Sequence, residues 1–127
     1  GEKLSPEQLL AELGGFEIAM MCGAMLKAAE LKMLVLVDGF IATCAALIAS
    51  KISPYFIDYA VFCHKSKEQG HKKMLKAMGV EPLLDLDMRL GEGSACALAY
   101  PLVKSVCDFM NNMASFESAS VSNREKL

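Results

Sequence analysis

Tryptophan is absent from these 127 residues, and aromatic residues together make up only 7%. No CxxC pair occurs, and the five cysteines (Cys22, Cys44, Cys63, Cys96 and Cys107) are scattered and odd in number. That excludes a disulfide framework and a zinc ribbon, and leaves buried free thiols in a reducing compartment as the expectation. A surplus of one charge is also missing. Thirteen Lys and Arg stand against 15 Asp and Glu, for a net charge of −2. Without a basic excess there is no general nucleic-acid footprint. No apolar run reaches the ~20 residues of a membrane-spanning helix, and no signal peptide is visible. These absences lead to the expectation of a cytoplasmic protein with no nucleic-acid and no membrane partner. Histidine is scarce too. Cys63-His64 with His71 is the only cluster that invites a metal. Adjacent strand residues point to opposite faces and no second ligand pair exists, so no metal is expected.

What is present is apolar. Hydrophobic residues make up 54% of the chain and charged residues 22%, far from the composition of a disordered chain. The length suits one domain or a piece of one. The nine methionines read as core filler rather than a binding surface.

Ser5-Pro6-Glu7-Gln8 has the form of a helix start, with Ser5 as N-cap, Pro6 at the first helical position and Gln8 completing a capping box. Gly14-Gly15 ends that helix. Residues 16–30 form a second helix, apolar nearly all round, with Glu17 in its first turn either as a dipole partner or facing a ligand. Residues 33–37 are a continuous apolar run, the pattern of a parallel strand covered on both faces. An Ala-rich helix is expected over 40–51, and a second buried strand over 59–62. Ser66 and Gln69 suggest another capping box, opening a helix that Gly79 stops. Residues 83–90 read as a short helix or an extended lead-in. The last helix is expected over 94–114, kinked at Pro101, and the polar residues 117–127 as a frayed tail.

The stretch Arg89-Leu90-Gly91-Glu92-Gly93-Ser94 organises this pattern. A carboxylate stands between two glycines at the mouth of a long apolar helix. Glycine permits positive φ and close approach of another molecule. A helix start offers free N–H groups to an anion, and Arg89 adds a positive charge. Glu92 beside such a site would suit a general base next to a phosphorylated substrate. The alternative is an ordinary helix start, with an acidic residue favourable to the dipole and a solvated Arg89. Both expected strands end in polar residues, Asp38-Gly39 and His64-Lys65-Ser66, where parallel α/β folds bind ligands. The 89–94 loop would join them in one cleft. Two short strands do not make a stable sheet alone, so the chain reads as part of a larger fold.

Five stretches carry a resemblance. They are Gly14-Gly15-Phe16-Glu17-Ile18-Ala19-Met20-Met21, Val35-Leu36-Val37-Asp38-Gly39-Phe40, Ser66 with Gly70-His71, Glu81-Pro82-Leu83-Leu84, and Met88 through Ser94. In order and spacing the chain resembles the C-terminal part of the nicotinate-nucleotide–dimethylbenzimidazole phosphoribosyltransferase family. The resemblance implies an α/β, Rossmann-like parallel-sheet fold with helices on both faces. It implies transfer of phosphoribose from nicotinate mononucleotide to 5,6-dimethylbenzimidazole, in assembly of the cobalamin lower ligand. It implies Glu92 as catalytic base, and Ser66, Arg89, Leu90 and Gly91 as substrate-binding positions. It also implies no cofactor, small-molecule substrates as partners, and a homodimer. A truncated relative that binds a base or a partner without turnover is the alternative.

Overall fold

The computed structural model describes residues 4–121. Its elements follow the order α1 (Pro6–Leu13), α2 (Phe16–Glu30), β1 (Val35–Val37), α3 (Phe40–Ile52), a 3-10 helix (Pro54–Tyr59), β2 (Ala60–Phe62), α4 (Gln69–Met78) and α5 (Ser94–Asn112). This is the expected α/β order, with one addition. The 3-10 helix takes Pro54 at its first position, where proline's missing N–H costs no hydrogen bond. It absorbs Tyr59, so β2 begins a residue later than the apolar run suggests.

Helix α1 has the full capping box, with the Ser5 side chain taking the Gln8 N–H and Gln8 answering to the Ser5 N–H. Helix α4 ends at Gly79 with φ 69, a left-handed cap that glycine adopts without penalty. Pro101 lies inside α5, where the Ser105 hydroxyl donates to its carbonyl at 2.8 Å. Of the expected tail, residues 117–120 continue in turns, and 122–127 lie outside the described residues.

β1 and β2 pair in parallel, Val35 with Ala60, Leu36 with Val61 and Val37 with Phe62. The strand over 33–37 is shorter than its apolar run, because the ladder begins at Val35 and the Met33 N–H donates back to the Ala28 carbonyl at the end of α2. Residues 83–90 take the extended alternative. Leu84 forms a parallel bridge with His64, and the N–H groups of Leu83 and Leu84 donate to Phe62 and Cys63. The pairing of that segment beside β2 is not legible in the sequence, because one bridged residue leaves no alternation to read.

Both faces of the sheet are covered, as a two-sided apolar strand requires. Successive strand residues point to opposite sides. Val35, Val37 and Phe62 join the cluster of Cys22 and Met25 from α2 and of Ala45, Ala46 and Ala49 from α3. Leu36 and Cys63 join Ala95 and Ala99 of α5 instead. The alanines facing the sheet are fully buried, which lets the helix backbones approach closely. The five cysteines are all free. Cys63 and Cys96 stand 3.6 Å apart between β2 and α5, and burial, with the neighbouring Cys96 thiol, pushes the Cys63 thiol up to about 12. A thiol so weakly acidic is inert packing material.

The outer faces are a different matter. Phe16 is 94% exposed and Met110 75%, with Met20, Tyr100, Leu102, Val106 and Phe109 also open. The all-round apolar character of α2 therefore does not mean burial within this chain, where one stripe alone is covered. Apolar area on that scale drives association. The purified 127-residue chain is expected to self-associate, with an average mass that rises with concentration in sedimentation velocity. A monodisperse monomer across the accessible range would contradict this.

Candidate active site

The carboxyl ends of β1 and β2 open into a cleft of about 550 Å³. Asp38, Gly39 and Phe40 line it from the junction of β1 and α3, His64 from just beyond β2, residues 66–68 from the loop before α4, and residues 88–92 from the lead-in to α5. Ser66, Arg89, Leu90, Gly91 and Glu92 thus share one cavity. The expectation that both strand ends and the glycine-flanked loop meet in one cleft agrees with this arrangement.

One residue holds these parts in register. The Asp38 side chain accepts N–H bonds from Ala95 at 2.9 Å and Cys96 at 3.2 Å on one oxygen, and from Gly93 at 3.3 Å on the other. These are the orphan donors of the first turn of α5. The free N–H groups expected there for a bound anion are therefore taken by the chain's own carboxylate. In the sequence Asp38 stands out only as the polar end of a strand. Its capping partners lie 55 to 58 residues away, too far for local sequence reading. Its backbone carbonyl also accepts from His64 Nδ1 at 2.8 Å. A carbonyl can only accept, so His64 carries a proton on Nδ1.

Glu92 is exposed at the cleft mouth with φ 62, followed by Gly93 at φ 82. Left-handed backbone is expected of the two glycines. Gly93 supplies it, Gly91 does not, and the glutamate itself takes the second such position. A left-handed glutamate costs roughly 1–2 kcal/mol, held here by the Asp38 cap on one side and the extended lead-in on the other. Leu90 is 67% exposed beside it, an apolar side chain left unpacked in a site otherwise rich in polar groups.

Ser66 does not cap α4. The helix starts at Gln69 with Glu68 as N-cap. The reason is a competing partner, since the Ser66 hydroxyl and amide both turn to His71 Nδ1, at 2.9 and 3.0 Å. The other ring nitrogen of His71 lies 3.0 Å from the Thr43 hydroxyl. The sequence presents His71 as a metal-ligand candidate and as part of a family-like stretch, and both of its nitrogens have protein partners. Burial, with a smaller contribution from nearby His64, lowers its pKa. Gly70 admits Phe40 to this cluster, since a Cβ there would meet the Phe40 ring at 3.0 Å. The loop is tied to the lead-in by ion pairs of Lys65 with Asp85 and Lys67 with Asp87. Arg89, by contrast, makes no salt bridge among the described residues.

A parallel α/β sheet with a carboxylate, a hydroxyl and a guanidinium around a cleft at its strand ends places the chain among the α/β proteins, with its cleft where that class binds ligands. Comparison with known proteins makes this specific. Residues 1–121 match the family model described as phosphoribosyltransferase, and the chain belongs to that family. The nicotinate-nucleotide–dimethylbenzimidazole phosphoribosyltransferase of Dechloromonas aromatica (strain RCB) is 65% identical over 117 residues, covering 92% of this chain and 34% of that protein. The protein of the same name from Shewanella frigidimarina is 57% identical over 122 residues, with 96% and 35% covered. The crystal structure of the protein of that name from Thermus thermophilus superposes with a TM-score of 0.86 at 38% identity, covering 97% of this chain and 37% of that one. The chain thus spans about a third of the length of the curated relatives it matches.

Two outcomes follow from this geometry. Asp38→Ala uncaps three N–H groups, and in a chain of the relatives' full length it should lose about 1–2 kcal/mol in urea unfolding, with Asp38→Asn losing less. An unchanged midpoint would show that the cap contributes nothing. His71 has a lowered native pKa, so the unfolded chain takes up the proton first. Its share of stability is complete above the unfolded value of about 6.5 and declines below it. Melting temperature should fall from about pH 6.5 toward pH 5, and His71→Phe should flatten that part of the profile.

Proposed function

We propose that the cleft is the site of phosphoribosyl transfer from nicotinate mononucleotide to 5,6-dimethylbenzimidazole, giving α-ribazole 5′-phosphate and nicotinate for the cobalamin lower ligand. The observation that carries this reading is the convergence of Glu92, Leu90 and Ser66 on one cavity at the strand ends. In the proposed reaction one benzimidazole nitrogen attacks the anomeric carbon from the face opposite the pyridinium. The bond from that carbon to the pyridine nitrogen breaks, its electron pair leaving with nicotinate. Glu92 takes the proton from the second benzimidazole nitrogen. A cationic leaving group needs no acid, so one carboxylate base is sufficient for the chemistry.

Leu90 and Gly91 give the flat apolar base a wall and close backbone approach. Ser66 and Arg89 serve the nucleotide phosphate, the hydroxyl by direct donation and the guanidinium by charge. The relatives are about three times as long, so residues outside this chain complete the pocket and cover its apolar helices. The broad exposed faces of α2 and α5 favour a homodimer, and the whole is a cytoplasmic enzyme with a Rossmann-like sheet.

The base assignment is tested in a chain of full family length. Glu92→Gln keeps the shape and removes the proton acceptor, and it should lower kcat by about 10²–10⁴ with little change in nucleotide affinity. Turnover near that of the parent would remove Glu92 from the role.

A further inference from the structure

His71 is fully buried and does not line the cleft, yet it is bonded to a residue that does. A backbone N–H can only donate. The Ser66 amide, 3.0 Å from His71 Nδ1, therefore requires a lone pair on that nitrogen. The ring proton must then sit on Nε2, donated to the Thr43 hydroxyl at 3.0 Å. This fixes a neutral imidazole in one tautomer, wedged between the rings of Phe40 and His64 at centroid distances of 6.4 and 6.2 Å. The Ser66 hydroxyl, 2.9 Å away, shares the same lone pair. When that hydroxyl turns to another acceptor, Nδ1 keeps the amide and no buried group is orphaned.

We propose that His71 is the positioning residue of the substrate loop, holding the Ser66 amide as a neutral Nε2–H imidazole so that the Ser66 hydroxyl is free to donate to the anionic group of the nucleotide. This rests on the assignment of the cleft given above. Protonation of His71 would set an Nδ1–H against the Ser66 N–H and turn the loop away. Of the groups packed around the ring, His64 at the end of β2 is the titratable one that faces it. Helix α3 presents Thr43 and Phe40, and its Cys44 thiol turns to Met74. In the loop, Lys65 and Lys67 are paired with Asp85 and Asp87. The adjoining Glu68, Lys72 and Lys73 are exposed.

The test uses His71→Asn, His71→Gln and His71→Phe in a chain of full family length. The asparagine oxygen stands near the place of Nδ1 and can keep the amide. The longer glutamine reaches toward Thr43 instead, and phenylalanine keeps only the ring. His71→Gln and His71→Phe should raise the KM for nicotinate mononucleotide about tenfold, the worth of one lost hydrogen bond. The KM for dimethylbenzimidazole should stay within about twofold. His71→Asn should recover most of the loss. As the pH falls below about 6.5, the parent's nucleotide KM should rise more steeply than that of His71→Asn, the titration of the substrate phosphate being common to both. Nitrogen-15 spectra of the parent should show His71 protonated on Nε2 alone. A proton on Nδ1, equal damage from Asn and Gln, or a joint rise in both KM values would overturn the proposal. Ser66→Ala separates the two layers. If it leaves the nucleotide KM unchanged, the proposal falls through the assignment of the cleft. If it raises that KM while the His71 variants do not, the proposal falls through His71.

Discussion

A single carboxylate joins the two halves of the site. Asp38 leaves the end of β1, accepts three N–H groups from the start of α5, and offers its carbonyl to His64 at the end of β2. An anion at a helix N-terminus is favoured both by the dipole and by the unpaired donors there. In this chain that preference serves assembly. It seats the last helix against the sheet and so places the turn that precedes it. Glu92 stands where it does because the residue after it is bonded to a strand 55 residues earlier. The cleft is the space left between these tied parts.

The helices are legible in the sequence because their signals are local. Capping residues, prolines and glycines sit within a turn of the boundaries they set, and α1 and α4 end where those residues say. The strands are legible as existence but not as extent. A run such as residues 33–37 is apolar whether or not each residue has a partner across the ladder, and only Val35–Val37 find one. The loop at Ser66 misleads in a different way. Serine three residues before glutamine looks like a capping box, but His71, early in the helix, supplies an acceptor for the serine amide. A histidine that competes for a cap leaves no mark in spacing. The same limit hides Asp38, whose partners are close in space and remote in sequence. The residues that gather in the cleft stand out because the glycine-flanked glutamate and the polar strand ends are dense in chemistry. Several such stretches also agree in order with one family.

Packing explains why the short sheet holds together. Small residues on α3 and α5 lie flat on its two faces, so the two short strands are enclosed between helical layers. The opposite sides of α2 and α5 are richly apolar and open. The family's greater length gives a physical reason for such surfaces, since a helix with two apolar faces belongs between layers.

The left-handed glutamate at position 92 places two selective pressures in opposition. With φ at 62, glycine would fit that backbone better than any residue with a β-carbon. Random drift filtered only by folding would therefore carry the position toward glycine. Screens for heat-resistant variants would be drawn to the same replacement and would return a sturdier protein without its carboxylate. A glutamate retained at this angle in other members of the lineage would be a fossil of some demand other than folding, readable from backbone geometry before any assay is run.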